Sequence, residues 1–152
     1  MKVIVLLILF ASCGLTKQNE RNNNTDENSV VSLAFNIRKE KQDAKSVIEL
    51  IKQIQSPGTI KNQNENVSYS GNYLSIYTYK NKKLTDSMTI EHPLYKHLEY
   101  VGANNAFAVK DTVVTKEEFF IRLQIQGRSN EIKIFETLKN KPKREELISL
   151  KL

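Results

Sequence analysis

Two histidines, His92 and His97, are the side chains best suited to chemistry at neutral pH. They sit in Glu91-His92-Pro93-Leu94-Tyr95-Lys96-His97, with Asp86 and Glu99 nearby. Such a set could hold a metal ion or supply a general base. A helical zinc site needs two ligands one turn apart and a third close by, and Pro93 interrupts any regular helix here. The pair therefore reads as surface histidines at a strand end. Nucleophilic catalysis needs a Ser, Thr or Cys beside a base that a third group orients. No Gly-x-Ser-x-Gly elbow occurs, and the single cysteine, Cys13, lies near the N-terminus. Glu117 and Glu118 are adjacent carboxylates, but neighbours on a strand point to opposite faces and cannot flank one bond. The five glycines are scattered and form no phosphate-binding loop. The expectation is a chain with no catalytic set, no metal site and no cofactor.

Binding surfaces are the other source of function. Tyr73, Tyr77 and Tyr79 share one strand face, which their expected neighbours Leu84, Met88 and Ile90 mark as core. Phe120, Arg122 and Phe135 are the better exposed group, with Arg122 expected opposite Phe135 in a cation–π contact. Lysines cluster at Lys80, Lys82 and Lys83, and again, with an arginine, at Lys139, Lys141, Lys143 and Arg144. These two basic clusters are the candidate partner-binding residues, since the formal net charge is +6 and cationic patches attract acidic partners or headgroups.

The N-terminus says where such a surface would work. Met1-Lys2 precedes an apolar run, Val3–Phe10, too short to cross a bilayer, which takes about 20 helical residues. Its length suits the apolar region of a signal peptide. Phe10-Ala11-Ser12-Cys13 then resembles the lipobox of bacterial lipoproteins, with Phe10 where leucine is usual. The resemblance covers the leader only. It implies cleavage before Cys13 and a diacylglycerol on the Cys13 thiol. Residues 1–12 are expected to be the signal peptide and 13–28 a lipidated, solvated tether of on the order of 20 Å. No aspartate follows Cys13, which favours an outer membrane where one exists, with the domain facing the periplasm or the outside. Nucleic acid is not an expected partner of an exported chain. A lone cysteine forms no internal disulfide, so the fold rests on its core.

The elements that must position these residues occupy 29–152, a length that suits one domain. Spacing at Ala44, Val47, Ile51 and Ile54 predicts an amphipathic helix over 41–55, extended back to about 29 and ended by Ser56-Pro57-Gly58. Strict alternation at Val31, Leu33, Phe35 and Ile37 also fits a strand. Tyr73–Lys80 and Lys83–Ile90 flank Asn81-Lys82 as a tight hairpin, with Tyr73 facing Ile90 and Tyr77 facing Asp86. Phe119–Gln126 and Glu131–Leu138 read as a second hairpin, pairing Leu123 with Ile134 and Ile121 with Glu136. Residues 106–110 and 146–150 add strands. The expected class is α+β, an antiparallel β-sheet with one amphipathic helix packed on one face. The alternative is a β-sandwich whose first strand is 29–38. The expected function is a membrane-tethered, non-catalytic binding or accessory module with a protein partner in the envelope. An immunity or inhibitor protein and a subunit of an envelope complex are both compatible. The alternative is a small envelope enzyme or ligand carrier using His92, His97 and nearby carboxylates.

Overall fold

Residues 28–38 and 47–57 are both strands, so the expected helix is absent. The computed structural model describes residues 28–41, 44–61, 71–102, 104–127 and 130–152, and among these there are nine strands and no helix. The leader, Cys13 and the tether up to residue 27 lie outside the described residues. The strands, in chain order, are β1 (Asn28–Arg38), β2 (Val47–Pro57), β3 (Tyr73–Lys80), β4 (Lys83–Glu91), β5 (Tyr95–Val101), β6 (Phe107–Val113), β7 (Lys116–Gln126), β8 (Asn130–Leu138) and β9 (Lys141–Lys151). They form one sheet ordered β2-β1-β7, a second ordered β4-β3-β8-β9, and a separate ribbon β5-β6, with every pairing antiparallel. The two larger sheets bury one common core. The α+β expectation is thereby corrected to an all-β architecture.

A β-bulge gives β2 its helix-like spacing. Ile48 and Leu50 stand opposite Ile37 and Phe35, and the register then slips so that Lys52 faces Ala34. Ile51 is the extra residue. Past it the phase inverts: Gln53 and Gln55 lie beside Leu33 and Val31, while Ile54 turns outward and is 51% exposed. A two-residue period broken by one inserted residue produces apolar spacings of three and four, which imitate a helix face. The content of the segment agrees with a strand, since valine and isoleucine lose rotamer freedom in helices and pack well on pleated surfaces.

The expected second hairpin is likewise replaced. β7 pairs with β1, with Phe35 opposite Phe119 and Leu33 opposite Ile121, whereas β8 pairs with β3 and β9. The chain turns a corner at Gly127, which has φ 66°, and passes from one sheet to the other. Ile121, Leu123 and Ile125 then meet Ile132 and Ile134 across the core instead of side by side. Arg122 and Phe135 are consequently on different sheets. The first hairpin forms around Asn81 and Lys82 with φ of 51° and 66°, the left-handed pair that a two-residue primed turn requires. Its register follows the expectation at Tyr79–Leu84 and slips by one beyond Thr78, so Tyr73 faces Glu91 and Tyr77 faces Ser87. Leu74, Ile76 and Thr78 point into the core. The tyrosines lie on the outer face, where Tyr77 meets Phe135 edge-on at 5.6 Å and Arg144 stacks over both rings.

These registers give the sandwich two distinct ends. At one, Asn28 begins β1 beside Gln126 and Pro57, and Lys80 pairs with Asn130 at the tip of the β3–β4 hairpin. At the other, about 33 Å along β1 at roughly 3.3 Å per residue, stand Arg38, Lys116 and Thr137. The ribbon β5–β6 springs from this second end, where Leu94 and Val114 close its root.

Candidate functional site

The root of the ribbon is organised by a buried polar network. On β8, Ile132, Ile134, Glu136 and Leu138 all point inward, which places a carboxylate in the core. It survives there because two donors reach it. The His92 Nε2 atom lies 2.8 Å and the Ser46 Oγ atom 2.5 Å from Glu136 Oε1. The Leu94 N–H donates to His92 Nδ1 at 3.2 Å, so Nδ1 is the acceptor and Nε2 carries the proton given to Glu136. Burial pushes the Glu136 carboxyl up, but the bonds from His92 and Ser46 and the nearby positive charge outweigh it, so it is held below the ordinary 4.5. The expectation of a surface histidine thus fails for His92, which is 1% exposed.

Ser46, Glu136 and His92 are the residue types of a hydrolase triad in the wrong order. The carboxylate sits in the middle, so the imidazole does not receive the serine proton. All three groups are shut off from solvent. What they do is tie three chain segments together: the residues before β2, the β4–β5 turn and β8. Tyr95 extends the network, with its ring edge-on to His92 at 4.8 Å and its hydroxyl 3.1 Å from the Lys39 ammonium. Lys39, 5% exposed, also lies 5.4 Å from the centre of that ring.

Above the network lies a cleft of about 570 Å³ between residues 39–41, the start of β5 at 95–97, the end of β6 with the residues after it at 111–115, and Asn72 and Lys139. Lys39, Lys41, Lys96 and Lys139 line it, against the carboxylates of Glu40 and Asp111. Asp111 is engaged by His97 at 2.7 Å, and Lys96 by Glu117 at 2.9 Å. That ion pair and the Glu118 amide hold the Glu117 carboxyl below its ordinary value. Among the described residues no carboxylate pairs with Lys41 or Lys139. The cleft is therefore cationic at its rim.

Beyond it the ribbon carries exposed apolar side chains on both faces. Leu98 and Tyr100 lie on one, while Val101, Phe107 and Val109 lie on the other, with Phe107 84% exposed. Among the described residues neither β5 nor β6 pairs with a third strand.

The basic residues singled out by sequence fall in three places. Lys139 reaches the cleft. Lys80, Lys82 and Lys83 stand at the opposite end of the sandwich, near Asn28. Lys141, Lys143 and Arg144 begin β9, and Arg144 is committed to Tyr77 and Phe135. Phe120 and Arg122 remain exposed on the outer face of the three-stranded sheet, beside Lys52 and Ile54. His92 and His97 serve different partners, Glu136 and Asp111. Among the described residues no group of three His, Cys, Asp or Glu side chains converges to hold a metal ion. Lys39, Lys41, Ser46, Tyr95 and Glu136 were not foreseen. The one sequence signal was Glu136 on the apolar side of an alternating strand, since a buried carboxylate needs donors. The chain matches no known protein family, no curated protein and no solved structure.

Proposed function

We propose that the protein is a non-catalytic binding module of the bacterial cell envelope, held to a membrane by a lipid on Cys13 and engaging a protein partner through the ribbon β5–β6. The observation that carries this reading is the ribbon itself. A two-stranded ribbon is marginal in water without further packing. This one presents Leu98, Tyr100, Val101, Phe107 and Val109 to solvent. Contiguous apolar exposure of that kind marks a surface meant for a partner. Its position supports the same reading. Asn28 starts β1 at one end of the sandwich and the ribbon leaves from the other, so an anchor preceding Asn28 leaves the ribbon facing away from the bilayer. Lys82 and Lys83, at the anchored end, suit anionic headgroups. The buried network beneath the ribbon holds its root rigid, which lowers the ordering cost of binding.

The test is site-specific photo-crosslinking in intact cells, with the probe at Val101 and, as control, at Lys83. One envelope protein trapped from Val101 and not from Lys83 is expected. Equal trapping from both positions, or none from Val101, overturns the assignment of the ribbon. Cys13→Ala is expected to release the chain from the membrane fraction, and unchanged fractionation refutes the anchor.

A further inference from the structure

We infer that the cleft beside β6 receives an extended, acidic segment of the partner, which adds to β6 as a third strand. This deepens the proposed binding role and rests on its choice of the ribbon end as the partner surface. Three observations combine. The first is the free edge. Val114 N–H donates to Leu94 O, and alternation along an antiparallel pair then turns the backbone groups of Val113, Asp111, Val109 and Phe107 away from β5. Among the described residues no other strand pairs with β6. The second is a rung already in place on that side, where the β1–β7 register runs on past Arg38 and Lys116. Lys39 N–H donates to Thr115 O at 2.9 Å, just beyond the end of β6. Glu40 and Lys41 then line the cleft wall, and among the described residues no further backbone bond reaches the edge from Val113 outward. An incoming strand continues the line that Lys39 starts, and main-chain bonds of this kind supply affinity in strand addition. The third is charge. Lys41 and Lys139 are exposed on the cleft walls, with Lys39 beneath them, and these three outnumber the lining carboxylates Glu40 and Asp111, the latter engaged by His97. An incoming carboxylate meets these ammonium groups, and a basic strand is repelled by them. The apolar side chains Val109 and Val113 offer the incoming strand a place for alternate apolar residues. The occupant is therefore a segment alternating acidic and aliphatic residues.

The test uses the full chain in mild detergent and a fluorescein-labelled nonapeptide alternating glutamate and valine. Binding is read by anisotropy and by amide hydrogen exchange. Protection of the amides of 107–113 is expected. N-methylation of alternate peptide amides is expected to weaken binding by more than about tenfold, because several main-chain bonds are lost. Lys41→Gln and Lys139→Gln are each expected to weaken it about 2–5-fold, as for partly exposed ion pairs, with unchanged melting temperature. Equal binding of the methylated peptide removes strand addition. Unaltered binding by both lysine variants removes the charge argument. Displacement of the peptide by inorganic phosphate at matched charge makes the cleft a small-anion site and overturns the proposal. So does concentration-dependent protection of 107–113 without peptide, which assigns the edge to a second copy. If the ribbon crosslinks a partner in cells while the peptide fails, this inference falls and the binding role stands. If the peptide binds and no partner is trapped, the reverse holds.

Discussion

Replacing Glu136 with leucine is the sharpest perturbation of the network under the ribbon. Leucine fills a similar space but accepts no hydrogen bond. It strands the His92 Nε2–H and the Ser46 hydroxyl, which reach the carboxylate at 2.8 and 2.5 Å in surroundings shut off from solvent. Each stranded buried donor costs about 1–3 kcal/mol. The two stranded donors together cost about 2–6 kcal/mol. In urea, with a slope of roughly 1.5 kcal/mol per molar for a domain of this size, the midpoint is expected to fall by about 1–4 M. The acid limb adds a second signature. The folded Glu136 carboxyl titrates below 4.5, so its contribution is complete above that value and is lost as pH falls from about 4.5 through the lower folded value. Urea midpoints measured from pH 7 downward are expected to show that loss in the parent chain and a shallower one in Glu136→Leu. Should the leucine variant not fold, Glu136→Gln, which keeps one acceptor oxygen without the charge, is expected to cost about 1–3 kcal/mol and to flatten the same limb. The triple replacement Ser46→Ala, His92→Phe, Glu136→Leu is expected to recover part of the loss, because both side-chain donors to the carboxylate are then gone and only the Leu94 N–H loses its acceptor. A cost below about 1 kcal/mol for Glu136→Leu, or an unchanged acid limb, refutes the view that a charged carboxylate holds these segments together.

The bulge in β2 makes a paired prediction. Ile48→Ala is expected to cost about 2–4 kcal/mol, and Ile54→Ala, half exposed on the outer face, less than about 1 kcal/mol in the same urea titration. Similar large costs at both positions would mean that one continuous inward face exists. In the β3–β4 turn, Lys82 holds φ 66°, which a residue with a Cβ adopts at a cost. Lys82→Gly is expected to raise stability by about 0.5–1 kcal/mol in thermal unfolding, and a loss would show that the turn is not of the primed type.

Much of the strand content was legible along the chain. Alternation at Val31, Leu33, Phe35 and Ile37 does mark an inward face, and all four side chains are fully buried. The Asn81-Lys82 turn could be placed because a two-residue loop between alternating segments has few solutions. The tyrosines lie on the face opposite to the one their spacing from the turn predicts, for a related reason. A register counted from the turn holds only until the first bulge, and here that comes beyond Thr78. His92 shows the limit for chemistry. Nothing in its neighbours along the chain distinguishes it from His97, yet it is buried on Glu136, forty-four positions away, while His97 is exposed on Asp111.

Local order along the chain therefore decided which residues alternate, where the tight turn falls, which positions carry the positive charge, and that the leader resembles a lipoprotein signal. Each depends on a residue and its near neighbours. The tertiary structure alone decided which strands are partners. Ile121, Leu123 and Ile125 alternate identically whether β7 lies beside β8 in one sheet or faces it across a core, because the two-residue period records which side is apolar and not what covers it. It alone brought Lys39, Lys41 and Lys139 to one cleft and left β6 with no outer strand among the described residues, since charge clustering and a free edge arise from contacts between segments far apart in the chain.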